Sequence, residues 1–403
     1  MQGRDGTLAA AQSIAKSSPT PMVHVHPART GAAALLLFTS VLTACGKDAT
    51  APGTLVFATV SNGGAHSCAL TATGATYCWG LNSHGQLGNG ATANSPTPVP
   101  VAGGLKFTAL SSGYYHTCAV TAAGAAWCWG YGSDGELGNG STASSTTPVP
   151  VSGGLTFRTV TTRYEHTCGL TTDGAVWCWG IGPDGQLGNG ARTPSSTPVP
   201  VAGGLVFTAV SSGYFHTCGL TSGGAVYCWG SNAAGQLGDS STLSSLTPVA
   251  VAGGITFTAL NAGFAHSCGL SGMVAYCWGY NDYGQLGTDV PADSTGPLPV
   301  FGGIAFTAVS AGVAHSCGLA AGGAAFCWGD DLQGQLGDGT QNTRSTPVAV
   351  AGQLAFAVIT AGGGHTCGVT TEGAAYCWGL NSYGQLGNGT TTNSGVPVRV
   401  SSP

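Results

Sequence analysis

Between residues 196 and 238 the chain concentrates Val, Phe, Thr and Tyr in four short segments, at 198–201, 206–211, 216–221 and 225–229. Ala-Gly-Gly, Gly-Tyr-Phe and Ser-Gly-Gly separate them. Segments this short, rich in β-branched and aromatic residues and divided by Gly-containing turns, are strand and hairpin signals. No stretch of the unit keeps a helical period. The pattern predicts four antiparallel strands.

The unit recurs seven times from Leu55 onward, each copy carrying a His-x-Cys and a Cys-Trp-Gly. The His residues are His66, His116, His166, His216, His266, His315 and His365, at intervals of 50, 50, 50, 50, 49 and 50 residues. Units of that length bury their apolar faces by packing on one another. An all-β, seven-bladed β-propeller with four antiparallel strands per blade is the expected fold over residues 55–403. The first unit opens at Leu55-Val56-Phe57 without a preceding Pro-Val segment, and the last ends on Val396-Pro397-Val398. Read as complementary fragments of one blade, the N- and C-terminal strands are expected to pair and close the ring, removing two open edges.

Each unit holds two Cys: 68/78, 118/128, 168/178, 218/228, 268/277, 317/327 and 367/377. Placing Cys68 opposite Cys78 pairs Ala69 with Tyr77 and Leu70 with Thr76, and leaves the loop Ala72-Thr73-Gly74. In the fifth unit one residue is missing, and the same pairing leaves Gly272-Met273, the composition of a type II′ hairpin. Opposed strand positions are close enough for disulfides. The expected pairs are therefore Cys68–Cys78, Cys118–Cys128, Cys168–Cys178, Cys218–Cys228, Cys268–Cys277, Cys317–Cys327 and Cys367–Cys377. Zinc held by the His-x-Cys and its partner Cys, or buried free thiols, are the alternatives; no Cys-x-x-Cys knuckle is present. The repeated His is read as structural, holding the loop above it, and the repeated Trp as core.

The Gly-x-x-His entry, the Trp-Gly and the Gly-Gln-Leu-Gly at Gly85–Gly88, Gly185–Gly188, Gly235–Gly238, Gly284–Gly287, Gly334–Gly337 and Gly384–Gly387 resemble the regulator of chromosome condensation repeat family. Gly135-Glu136-Leu137-Gly138 varies by one residue, and Arg163 replaces the entry Gly in the third unit. The resemblance covers all seven units and implies the propeller. Its members exchange nucleotide on a small GTPase, sense light, inhibit enzymes or act as scaffolds, so it implies no single activity.

Charge narrows the partners. Beyond residue 54 there are 13 acidic and 6 basic residues and no basic stripe, which disfavours nucleic acid. The apolar run at 31–44 is too short for a permanent span. It follows Arg29 and ends Leu42-Thr43-Ala44-Cys45, in the order of an export signal whose ending resembles a bacterial lipobox. Cys45 is also the one Cys outside the repeat pairs. Residues 1–44 are thus expected to be a signal region, with Met22 the favoured start over Met1, and 45–54 a lipid anchor and tether. Gly46-Lys47 places no Asp beside Cys45, which by analogy points to the outer membrane or cell surface.

Function on a propeller resides in loops. If the Phe-Thr-Ala-Val strand runs up, the Gly-x-x-His loop and the loop after Trp-Gly emerge on one face. Before the His residues stand Tyr114-Tyr115, Tyr164-Glu165, Tyr214-Phe215 and Phe264 in units two to five, while the other three units have Gly, Ala or Val. The second loop adds Tyr131, Asp134, Asp184 and Tyr283. This aromatic crescent is the candidate binding face; the competing reading is a cover for the central channel. No catalytic, metal or cofactor motif stands out. The expectation is an exported, lipid-anchored protein-binding or scaffold module at the cell envelope. Inhibition of an extracellular enzyme is the version implied by one family member. The alternatives are a carbohydrate-binding or carbohydrate-cleaving surface protein and a purely structural component.

Overall fold

The computed structural model describes residues 55–402. The expected signal region, the lipidated Cys45 and the tether lie outside the described residues. Seven four-stranded antiparallel sheets follow one another along the chain, each taken in strict sequence order. Blade 1 consists of Phe57–Asn62, His66–Thr71, Thr76–Gly80 and Ser95–Pro100; blade 7 of Phe356–Ala361, His365–Thr370, Ala375–Gly379 and Ser394–Arg399. First strands contact one another around the ring and so line its centre, while fourth strands lie outermost.

The blade boundary differs from the expected one. The Pro-Val strand closes its own repeat: Cys78 pairs with Val99 and Tyr77 with Pro100. At the end of the chain Cys377 pairs with Val398, and the strand of Phe57 pairs only with its own second strand. Seven repeats therefore make seven whole blades, and among the described residues no sheet joins the first blade to the last. The physical reason is local. The chain leaving Trp-Gly returns antiparallel along the strand it has just left, satisfying that edge before the next repeat begins. Closure comes from blade 7 packing on blade 1 as every other pair packs.

Within each blade the predicted register holds. Cys68 faces Cys78, Ala69 faces Tyr77 and Leu70 faces Thr76. In blade 5, Ser271 pairs with Val274 around Gly272, whose φ of 59° fits the first position of a type II′ turn. All seven Cys pairs are disulfide-bonded. Such bonds persist in an oxidising compartment. Among the described residues no helix is long and apolar enough to cross a membrane.

The core is a set of inter-blade layers. The Cys68, Leu70 and Cys78 face of blade 1 packs against Phe107, Ala119 and Trp129 of blade 2. Each staple thus forms part of the wall on which the next blade's Trp rests. A small residue follows each first Cys because a Phe from the first strand covers it: a Cβ on Gly169 would lie 2.3 Å from Phe157 Cε1.

Polar latches bind the same seams. His66 Nε2 lies 2.9 Å from Thr117 Oγ1, whose hydroxyl lies 3.0 Å from the Gln86 carbonyl; Trp129 Nε1 donates to that same carbonyl at 3.0 Å. The hydroxyl has one proton and gives it to the carbonyl, so it accepts from His Nε2–H. The pattern runs through His116–Thr167, His166–Thr217, His216–Ser267, His266–Ser316 and His315–Thr366, and closes at His365–Ser67. Burial holds each of these imidazoles neutral, lowering the pKa to about 3. The His is structural, as its repetition implies, but its partner is the next blade rather than the loop above.

Candidate functional site

Antiparallel order puts the loop between strands one and two, and the loop after Trp-Gly, at the same end of every blade. At this end the aromatic residues of blades 2 to 5 form one connected group. Tyr114 meets Tyr115 at 4.5 Å and Tyr164 at 5.5 Å; Tyr164 stacks on Tyr214 at 4.6 Å; Tyr214 meets Phe264 at 4.5 Å; Phe215 meets Phe264 at 5.5 Å. From the second loops, His84 packs against both Tyr115 and Tyr131, each at 5.1 Å. Edge-to-face contacts of this kind hold rings in fixed orientations.

The group has an inner and an outer part. Tyr214 is only 7% exposed, and with Tyr114, Arg163 and the entry glycines it lines a small axial cavity. Burial raises the Tyr214 pKa well above the ordinary phenol value, with the Arg163 charge opposing. Two of the candidate aromatics therefore serve the channel mouth. Tyr115, Tyr131, Tyr164, Phe215 and Phe264 remain partly open on the outer side. Tyr115 is pushed up to about 12, mainly by burial and then by its tyrosine neighbours.

Arg163 was legible as a departure from the repeat but not as a channel residue. Its guanidinium reaches across the ring to the carbonyls of Ala311 in blade 6 and Ala361 in blade 7. Its Nε is buried without a partner. In the six other blades the entry position is glycine, and a Cβ on Gly213 would sit 2.4 Å from His216 Cε1.

The acidic candidates divide. Asp134 and the half-buried Glu165 interact electrostatically, and Glu165 has a raised pKa from burial first and the Asp134 charge second. Asp184 is also raised by burial, with Arg192 opposing. Tyr283 does not join the crescent: it is exposed and its ring meets Tyr280 at 6.4 Å. Sequence reading passed over Glu136 as a site residue. Its carboxyl has no exposed surface and is pushed up to about 8, chiefly by burial. Its signal was the single Glu among seven otherwise identical Gln positions.

These features define a disulfide-stapled, seven-bladed propeller with one structurally distinctive loop face. The chain belongs to the RCC1-like domain family, whose match spans residues 154–403. The regulator of chromosome condensation (RCC1) repeat matches residues 73–120 and 123–170, and a second form of that repeat matches 57–86 and 107–136. Human WBSCR16 is similar in structure, with a TM-score of 0.74 at 22% identity over 81% of this chain and 94% of that one. Prp20p from Saccharomyces cerevisiae, described with its binding to Gsp1p and histones, aligns at 0.72 and 22% over 82% and 87%. The ectodomain of the Physcomitrella patens receptor kinase CR4 aligns at 0.54 and 22% over 80% and 74%. At these identities the likeness is one of fold.

Proposed function

We propose that this chain is an exported propeller that binds a protein partner through the outer side of the aromatic crescent. The observation that carries the reading is the connected ring cluster: on a scaffold repeated seven times, the loop before the His carries aromatic side chains in four successive blades only, and they meet one another. Partly open Tyr and Phe held rigid by their neighbours are effective anchors in protein interfaces. Binding of Gsp1p and histones by Prp20p supports protein recognition as a use of this fold. The seven disulfides support an oxidising location.

The finer version places the protein at a bacterial cell envelope, lipidated at Cys45. Steric or competitive inhibition of an extracellular enzyme is one activity such a face could have. The test is affinity capture from envelope and medium fractions with the oxidised protein beside a Tyr115→Ala/Tyr131→Ala/Phe215→Ala variant. These positions avoid the channel-lining Tyr114 and Tyr214, so the fold is spared. A protein retained by the parent and lost from the folded variant supports the reading. Equal capture by both removes the crescent from consideration, and retention of glycans instead would favour the carbohydrate alternative.

A further inference from the structure

The blade 2 to blade 3 end of the crescent gathers three carboxyl groups, Asp134, Glu136 and Glu165, that no basic side chain among the described residues pairs. Glu136 stands where the other blades have Gln86, Gln186, Gln236, Gln285, Gln335 and Gln385. One of its oxygens accepts the Asp134 N–H at 3.0 Å, as Gln86 Oε1 accepts from His84 N–H at 2.9 Å. The second oxygen replaces the amide nitrogen. In blade 6 that nitrogen, Gln335 Nε2, donates to Asp330, the residue directly after Trp-Gly, at 2.8 Å. The corresponding residue in blade 2 is Tyr131. Glu136 Oε1 is fully buried and without a partner.

Asp134 and Glu165 stand beside it, close enough for all three carboxyls to interact. None is ion-paired; the salt bridge among the described residues is Arg344–Asp338. The basic side chains are committed elsewhere. Arg158 bonds the Thr208 carbonyl, Arg192 the Pro183 carbonyl, and Arg163 the carbonyls across the channel. Lys106 precedes Phe107 at the opposite end of the blade, and Arg399 lies in the last strand. The Arg163 charge acts on Tyr214, at the inner part of the crescent, and leaves the outer end to the acids.

Phenol ring faces are negative, and a cation placed over them with a carboxylate nearby gains from both. Among the described residues no three His, Cys, Asp or Glu converge as metal ligands, so the geometry suits an extended organic cation better than a compact metal ion. We infer that this end of the crescent receives a lysine or arginine side chain of the partner protein, over Tyr115 and Tyr131, with Glu165 and Asp134 as its counter-charge. This rests on the protein-binding reading above and adds the chemistry of the contacting residue.

The test uses the full oxidised chain and three end-blocked, fluorescein-labelled peptides: Gly-Lys-Gly-Lys-Gly-Lys, its arginine counterpart and its glutamate counterpart. Anisotropy at low salt should show the lysine or arginine peptide bound at least about tenfold tighter than the glutamate one. Glu165→Gln/Asp134→Asn should weaken that binding by about tenfold, with its melting curve confirming the fold. Asp173→Asn/Glu372→Gln, which removes two exposed acids from the turns at the opposite end, should leave it unchanged. No cationic binding, equal loss in both double variants, or no loss in either overturns the inference. The capture experiment separates it from the parent reading. A partner lost from the aromatic variant but retained by Glu165→Gln/Asp134→Asn keeps protein binding and removes the cationic contact.

Discussion

Glu136→Gln should stabilise the protein at alkaline pH, and its advantage should grow as pH rises. The carboxyl is raised from an ordinary 4.5 to about 8 because burial disfavours its charged form. Between those values the unfolded chain gives up a proton that the folded chain keeps, so folding becomes less favourable as pH rises through the window. The cost is absent below about pH 4.5, reaches about 3 kcal/mol at pH 7 and levels off near 5 kcal/mol above pH 8. Gln removes that cost but brings an amide nitrogen that is buried without a partner at Gln86, Gln285 and Gln385. Such a group costs about 1–3 kcal/mol. The net gain at pH 8.5 should be about 2 kcal/mol, or roughly 2–3 °C in Tm for a chain of this size. Calorimetric scans of parent and variant at matched pH, disulfides intact, read the difference directly. Titrations common to both proteins cancel. A gap that does not widen between pH 4.5 and pH 8.5, or a variant less stable at the upper end, would refute the reasoning.

Other perturbations have equally definite signs. The seven latch imidazoles, lowered from 6.5 to about 3, stay neutral in the folded chain and become charged in the unfolded one. Their stabilising effect is full above about pH 6.5 and is lost as pH falls toward 3, so Tm should drop steeply with acid while unfolding takes up protons. Thr217→Ala strips His166 Nε2 of its acceptor and should cost about 1–3 kcal/mol by thermal melting, whereas Thr217→Ser should cost far less. Replacing Cys218 and Cys228 by Ala opens one staple and should cost roughly 3 kcal/mol in the chain-entropy model, with the other blades unaffected by hydrogen exchange. Under the proposed lipidation, the parent should incorporate labelled fatty acid, whereas Cys45→Ala should not and should be released from membranes; equal labelling of both, or of neither, would remove Cys45 as the lipid anchor.

What could be read from the chain was whatever a single repeat decides for itself. Strand periodicity, the Cys68 to Cys78 register and the one-residue deletion absorbed at Gly272-Met273 are all settled within one hairpin. The ownership of the Pro-Val strand was not, because periodicity is the same whichever repeat it joins. The latches were half visible. Every residue between His and Cys is Ser or Thr, yet the acceptor role needs the neighbouring blade to be in place. The crescent was legible as an interruption of monotony, but the division between channel-lining Tyr214 and outer Tyr115 depends on ring geometry. Glu136 differs from its equivalents by one letter, and only burial gives that letter a consequence.

Because each repeat is a whole blade, the seam at which the chain enters the ring is interchangeable with the others. The seam between blades 7 and 1 has the same parts as the other six: His365 against Ser67, Trp79 Nε1 on the Gln385 carbonyl, and Phe57 N–H on the Gly373 carbonyl. Val400 and Ser401 repeat the bonds of Val101 and Ala102, and Leu55 takes the place of Leu105. A Gly-Gly joint, as at Gly103-Gly104, therefore fits between Ser401 and Leu55. The chain can be circularly permuted, joined there and reopened at any equivalent turn, such as Gly203-Gly204. That would let the crescent be moved to either end of the gene while its rings stay where they are.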